Sequence, residues 1–556
     1  MMNRYILLCL LVAGITSCTK KVDFSYDNQL NHSADAPSSV RIVNLHGANE
    51  LMVAGQKLTS FSQPNRDDAY DQSNTKGTIY FPETGRLGLT YNIPQRLVNA
   101  QGMVTDIRFA TLNQKWGLSL TRPFSAKDDF NHPMDYYFTF YGGQSDSLIE
   151  VPRSVSSPAN PENFKIRLLN LSVNDYPVKG PMSIVWADGT PIAGLDNVAP
   201  GSYSEYIEIP YGTYQFKVLT TDGQQVPGVG GSLEYLNTID PLTGRIMLDG
   251  RLVYPNVVGF ADSKLTFAPF KTFQPGGVYT IAVGDCPNFN YPTGNTNGET
   301  IPARYNGFRI ITDAESLNIT YARLQAINVM PDKRISVQVD GKALGGTLDF
   351  TNASGFERYI IGTHTVKVTD SAGATLVEKS LLLSAADNQS IWVYEGADNK
   401  PAISFVANNM SAAYYSGATE DGTYSMIKTE YPSWVRFMNF CPDLPEVTFT
   451  RENGQMFADP LPGQHLLPGI ATAAVKSPYV MLNAGFYNDI VAYASQPAVL
   501  PGDWLRNVPV LKAQQFIANA ALYRKGLPGS EPGFYTVALV GRISTAARMI
   551  IIKHNK

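Results

Sequence analysis

The chain has 556 residues, of which 44% are hydrophobic and 17% charged, with a formal net charge of −4. It is too long for one hydrophobic core and too apolar for disorder, and the length suggests about three to five domains. With 30 Tyr, 26 Phe and 46 Gly punctuated by 36 Pro it has an all-β composition, and the absence of a basic stripe argues against a nucleic-acid partner.

Arg4 supplies a positive start, and residues 5–14 form an apolar run too short to span a bilayer as a mature helix. Ile15-Thr16-Ser17-Cys18 follows. An aliphatic residue, two small ones and a cysteine in this order resemble the bacterial lipobox. The resemblance implies cleavage after residue 17, diacylglycerol on the Cys18 sulfur and an acylated amine. Two or three acyl chains make a durable membrane anchor. Residues 1–17 are then a signal segment, and the polar stretch 18–39 is a tether. Of the 4 Cys, Cys9 leaves with the signal and Cys18 takes the lipid. Cys286 and Cys441 fall in different modules, so two free thiols are expected rather than a bridge.

The rest of the chain is organised by repetition. Val40-Arg41-Ile42-Val43-Asn44 returns as Ile166-Arg167-Leu168-Leu169-Asn170 and as Val435-Arg436-Phe437-Met438-Asn439. A looser copy, Arg323-Leu324-Gln325-Ala326-Ile327-Asn328, shifts the Arg. Each reads as a short strand stopped by an Asn that favours a turn. Each is followed at a distance by a closing strand: Tyr136-Tyr137-Phe138-Thr139-Phe140-Tyr141-Gly142, Val278-Tyr279-Thr280-Ile281-Ala282-Val283-Gly284, Ile391-Trp392-Val393-Tyr394-Glu395-Gly396 and Phe534-Tyr535-Thr536-Val537-Ala538-Leu539-Val540-Gly541. Four tandem modules follow, at 40–151, 164–311, 321–411 and 433–556, each of a size normal for a β-sandwich.

Within the first module, 78–82 and 87–91 are strand-like and 128–133 reads as a loop; 152–162 is a linker by composition. In the second, 183–189 runs into an Asp188-Gly189 turn, and 206–218 has period-two alternation broken at Pro210-Tyr211-Gly212. The third repeats this order, with Gly362-Thr363 matching Gly212-Thr213. Between the two, 287–298 reads as a polar loop. In the fourth, 446–451 is a strand and 510–525 is the one helical candidate, ended by Gly526 and Pro528. Alternation places Tyr279, Ile281 and Val283, and Tyr535, Val537 and Leu539, in cores, and turns the opening-strand Arg outward.

The order of these motifs resembles a family of bacterial tandem repeats, domain of unknown function family 4397, and with the lipobox it looks like a Bacteroidota envelope lipoprotein. The second and fourth modules match best. The resemblance implies Ig-like or transthyretin-like sandwiches, a home at the outer membrane on the cell surface or periplasmic face, and no catalytic residues or cofactor.

The residues themselves carry little chemistry. The 6 His show no zinc spacing, and Asp67-Asp68 with Asp71, and Asp128-Asp129, lack the alternating calcium loop, so no metal site is expected. Neither a Gly-x-Ser-x-Gly elbow nor a phosphate loop is present, and the chain reads as non-enzymatic, a glycan-active enzyme with distant paired carboxylates being the lesser alternative. Aromatic faces stack on sugars. Trp186, Trp392 and Trp434 fall on repeat strands and read as core, which leaves Trp504, among loop-forming residues, and Trp116 as candidate ligand contacts. The sequence thus points to a membrane-anchored protein displaying a binding surface for a polysaccharide or an envelope protein, with a structural adhesin or envelope-assembly role as the alternative.

Overall fold

Every opening strand lies beside the closing strand of its own repeat, and the two run parallel. Pro37–Asn44 pairs with Met134–Tyr141, Asn163–Asn170 with Val278–Cys286, Tyr321–Asn328 with Asn388–Glu395, and Ser433–Phe440 with Gly533–Val540. Parallel neighbours cannot be joined by a tight turn and require a long crossover. Here the crossover is the remainder of the module: the chain leaves the opening strand, builds a second sheet and returns. A final antiparallel strand follows the closing strand in the same sheet: Gln144–Pro152, Tyr305–Ala314, Pro401–Ala407 and Arg548–Lys553. On the far side of the opening strand, Thr90–Pro94, Ile207–Pro210, Glu357–Ile360 or Val480–Leu482 completes the first sheet.

The computed structural model describes residues 36–45, 48, 50–58, 89–113, 117–141, 144–176, 178–226, 228, 238–239, 246–247, 271–286, 290–292, 300–302, 305–410, 433–457, 462–471, 478–482, 489–522, 531 and 533–556. Among them there is no α-helix, and none long and apolar enough to cross a membrane. The second sheets are built on Glu50–Val53 with Met103–Asn113, Met182–Val185 with Lys217–Thr220, Ile335–Val339 with Gly362–Asp370 and Thr375–Leu383, and Val447–Arg451 with Ile490–Gln496 and Val499–Trp504. The chain is all-β, four sandwiches in tandem.

Each sandwich encloses its own core, fed by alternate residues of both sheets. Tyr279, Ile281 and Val283 enter the second core and Tyr535, Val537 and Leu539 the fourth, as alternation predicts. Aromatic stacks bridge the sheets: Phe109 on Phe138 at 4.1 Å, Phe164 on Phe273 at 4.7 Å and Phe437 on Phe449 at 4.9 Å. The repeated Gly-Thr marks where the chain changes sheets. Ile207–Pro210 pairs with the opening strand, whereas Gly212–Tyr214 joins another sheet, and a Cβ on Gly212 would lie 2.8 Å from the Tyr214 ring. Gly362, at φ +137°, makes the same crossing in the third module.

Two segments depart from the sequence reading. The 510–525 stretch is not an α-helix but two 3-10 turns, Ala513–Phe516 and Ala520–Leu522, with 523–525 outside the described residues. Leu511 is tied to Ile490 by backbone bonds in both directions, and Phe516 is drawn into the core, so the chain cannot wind regularly. In the 287–298 loop, Asn290–Pro292 pairs with Thr300–Pro302 as a short ribbon, and most of the rest lies outside the described residues, as do 78–82 and Asp67, Asp68 and Asp71.

The Asn that closes each opening strand does more than stop it. Asn44, Asn170, Asn328 and Asn439 are all fully buried. Asn439 Oδ1 accepts the Cys441 N–H at 2.9 Å, and its Nδ2 donates to the carbonyls of Leu444 at 2.9 Å and Leu466 at 3.2 Å. Asn170 and Asn328 make the same three-way contact with Ser172, Gly180 and Val198, and with Met330, Lys333 and Leu348. One amide therefore satisfies backbone groups of the crossover where it leaves the sheet. Asn439→Ala strands those buried groups and should lower stability by about 2–4 kcal/mol in denaturant unfolding. A loss under about 0.5 kcal/mol would mean the amide is not a tie.

Candidate functional site

Among the described residues, side chains with chemistry to offer gather in two places, a buried seam between modules and an exposed ledge on the fourth. The seam is where the opening-strand arginines go. Alternation turns them away from their own cores, but they do not reach solvent: Arg41, Arg167, Arg323 and Arg436 are 5%, 2%, 3% and 1% exposed. The outer faces of the first sheets are covered, because the modules stack back to back in pairs. Val43, Leu45, Tyr137 and Val151 of the first module pack on Leu169, Leu171, Ala282 and Ile311 of the second. Ile327, Val329, Trp392 and Val406 of the third pack on Met438, Phe440, Ala538 and Val540 of the fourth, with Trp392 stacked on Phe440 at 4.7 Å.

The polar residues inside these apolar frames occupy equivalent positions. Arg41, Arg167, Gln325 and Arg436 stand opposite Asp135, Thr280, Ser390 and Thr536 on the closing strands. Two residues past their neighbours on the final strands come Arg153, Asp313, Asn408 and His554. Arg41 pairs with Asp135 (Nε to Oδ1, 2.8 Å), donates to the Thr312 carbonyl at 2.7 Å and forms an ion pair across the seam with Asp313. Thr280 and Tyr206 hydroxyls donate to Asp313 at 2.6 and 3.1 Å, and Arg153 donates to Asp135 at 3.0 Å. Burial alone would depress the Arg41 guanidinium, but the Asp135 hydrogen bond and the charges of Asp135 and Asp313 hold it above its ordinary value.

The other pair repeats the geometry with neutral acceptors. Arg436 donates to Thr536 Oγ1 at 2.9 Å and, across the seam, to Asn408 Oδ1 at 3.0 Å and the Ala407 carbonyl. His554 Nε2 lies 2.7 Å from Thr536 Oγ1. The second module also meets the other pair: Lys217 bonds Glu531 at 3.1 Å, and Arg323 donates to Thr213 Oγ1 at 2.9 Å. These groups are closed to a ligand, and their work is to lock modules together.

The ledge is open. Trp504 is 50% exposed, and it ends a strand, Val499–Trp504, rather than sitting in a loop, because the segment pairs along Ile490–Gln496. Tyr493 stands directly opposite Trp504, and Thr448, which is fully buried, opposite Tyr493, so the three share one face of the second sheet with only its Trp504 end open. The Arg506 guanidinium lies 5.7 Å from the Trp504 ring centroid. Neither Tyr493 nor Arg506 stood out in the sequence, since only the strand register brings them to Trp504.

Other candidates resolve into structure. Trp392 and Trp434 are buried, and Trp186 is half-buried against the second core beneath Lys556. Trp116, Cys18 and the Cys286 side chain lie outside the described residues. Cys441 is a buried free thiol, pushed up to about 12 by burial and by its hydrogen bond to Asp443. Asp128 accepts from Ser39 and Gln95 and ties the loop to the opening strand, and Asp129 accepts from the Asn131 and His132 amides and organises the loop itself. His364 is held between Asp340 and the Ile360 carbonyl. No group of three or more metal-ligating side chains occurs among the described residues.

No protein-family model matches the sequence, and no curated protein does. The resemblance in the repeats therefore rests on those motifs alone. Among solved structures, similarities include the Bacillus anthracis TIE protein (10% identity, 63% of this chain, 48% of that chain, TM-score 0.10). They also include the major pilin subunit of Bacillus cereus (10% identity, 60% and 88% covered, TM-score 0.10). A third is a candidate cell adhesion protein from Bacteroides fragilis (12% identity, 66% and 96% covered, TM-score 0.11). This chain spans about half the length of the first of them, and scores this low tie it to none of the three.

The seam carries a pH dependence. Burial, then the Arg436 charge, holds the His554 imidazole well below its ordinary 6.5. Below that value the unfolded chain takes up a proton the folded chain refuses, so stability is full above 6.5 and falls as the pH drops, by up to about 1.4 kcal/mol per unit. His554→Gln should flatten this dependence between about pH 6.5 and 5 in denaturant titrations; an unchanged slope would contradict a neutral buried imidazole.

Proposed function

We propose that this chain is an envelope lipoprotein, anchored through Cys18, whose stacked sandwiches present a non-catalytic saccharide-binding surface centred on Trp504. The observation that supports it is the placement of that ring: half its surface is open, on a sheet face, with Tyr493 in register beside it. A flat aromatic on a rigid element is suited to the C–H face of a sugar ring, with neighbouring polar groups to read hydroxyls. Trp392, Trp434 and Trp186, by contrast, are engaged in packing.

A structural adhesin or envelope-assembly role is the second reading. It is favoured by the seam, since apolar frames around buried polar ties suit a body that transmits force or holds spacing. The two readings separate on Trp504→Ala, which removes the platform without touching a core. On the saccharide reading, retention in polysaccharide-containing gels falls about tenfold or more. Equal retention of both proteins on every polysaccharide leaves the assembly reading standing.

The anchor has its own test. Cys18→Ser should abolish incorporation of labelled palmitate and release the protein from the membrane fraction. A variant that stays lipidated and membrane-bound would place the anchor elsewhere.

A further inference from the structure

We infer that the saccharide taken by the Trp504 ledge is acidic, a uronate-type sugar whose carboxylate pairs with Arg506 while its ring lies on Trp504. The inference rests on the saccharide reading above and narrows it to a substrate class.

Arg506 is exposed, and among the described residues it forms no ion pair. Several other surface arginines are ion-paired, Arg108 with Asp106, Arg334 with Asp349, Arg358 with Glu162 and Arg542 with Glu395, whereas Arg96 and Arg548 make neutral contacts with Gln56 and Thr351. Arg506 instead lies over the Trp504 ring, 5.7 Å from its centroid, a cation–π contact that uses none of its N–H donors. A fork of this shape matches a carboxylate through two parallel hydrogen bonds. A neutral sugar offers it only hydroxyls.

The adjacent acidic groups do not compete for the fork. Asp503 stands opposite Ala494, which packs against the core, so alternation carries its carboxylate to the other face of the sheet. The Glu446 carboxylate is hydrogen-bonded to His465. Tyr493 stands beside Trp504 in register, half-buried, with its hydroxyl near Gly454 in the turn after Val447–Arg451, where a Cβ would lie 3.6 Å from it. The ledge thus joins one aromatic platform and one cation, with Tyr493 in register beside the platform.

The test is affinity electrophoresis of the mature chain in gels containing polygalacturonate, its methyl-esterified form, or dextran, beside Trp504→Ala and Arg506→Gln. Near-ultraviolet circular dichroism confirms that both variants keep their packing. The expected result is retention by polygalacturonate only, weakened about tenfold or more by either substitution and by raised salt. If the methyl ester or dextran retards the protein equally and Arg506→Gln changes nothing, the acidic assignment falls while the saccharide reading survives. If Trp504→Ala leaves polygalacturonate binding intact, the attraction is charge alone and the ledge is not the site. If no polymer retards the protein, both readings fall.

Discussion

A guanidinium placed on the outer face of a sheet cannot be buried unless something bearing acceptors covers it, and that constraint shapes this molecule. An opening-strand arginine of the first module and one of the fourth are completed by a carbonyl and a side chain from the final strand of the neighbour in each pair, Thr312 with Asp313 and Ala407 with Asn408. The apolar frames around them exclude water, which raises the cost of a misplaced partner. A buried ion pair of this kind is not a large net source of stability. Its value lies in register: a module sliding along its neighbour would leave a charge unpaired at several kcal/mol (about 3–5 when one partner is removed).

The pairs use equivalent positions but not a symmetric exchange. If the first pair obeyed a strict two-fold, Arg167 would face Arg153 as Arg41 faces Asp313. Two guanidinium groups repel, and Arg167 instead donates to Thr280 at 3.0 Å and lies over the rings of Tyr203 and Tyr206, at 5.2 and 4.6 Å. In the other pair Gln325 stands where a guanidinium would be, and its amide bonds the Ser354 carbonyl at 2.9 Å within its own module. One reciprocal contact is made and the other is replaced, so each seam has a direction. That distinguishes the four sandwiches from interchangeable beads, because the residues at the seam specify which faces meet.

Much of this architecture is legible in the residues. Period-two stripes such as Tyr535, Val537 and Leu539 predict their cores, because a strand's inner face is a local property of the pleat. The Gly-Thr repeat is visible too, although its meaning, a change of sheet, needs the pairing of Gly212–Tyr214 with Lys271–Phe273. The arginines show where local reasoning stops. Alternation says which way Arg41 points but not what waits there, since Asp313 lies far along the chain. The same holds for Asn439, whose three partners are backbone groups with no sequence signature. At the ledge, the Pro-Gly-Asp context of Trp504 is enough to suggest exposure. Its companions are not predictable, because Tyr493 reaches it through strand register and Arg506 through the turn that follows.

The ledge and the seam belong to one design. A surface aromatic binds well only when its strand is held still, and Trp504 stands on a sheet of a module that is packed against another and tied to a third. The claim that carries this account is that Arg41 and Asp313 meet across the first seam. A double-mutant cycle tests it most directly, with Arg41→Met and Asp313→Leu measured singly and together by denaturant unfolding of the mature chain. The account predicts that the double variant costs less than the sum of the singles by at least about 1.5 kcal/mol. Additivity within about 0.5 kcal/mol would show that the two residues do not meet and that the modules are not locked through this face.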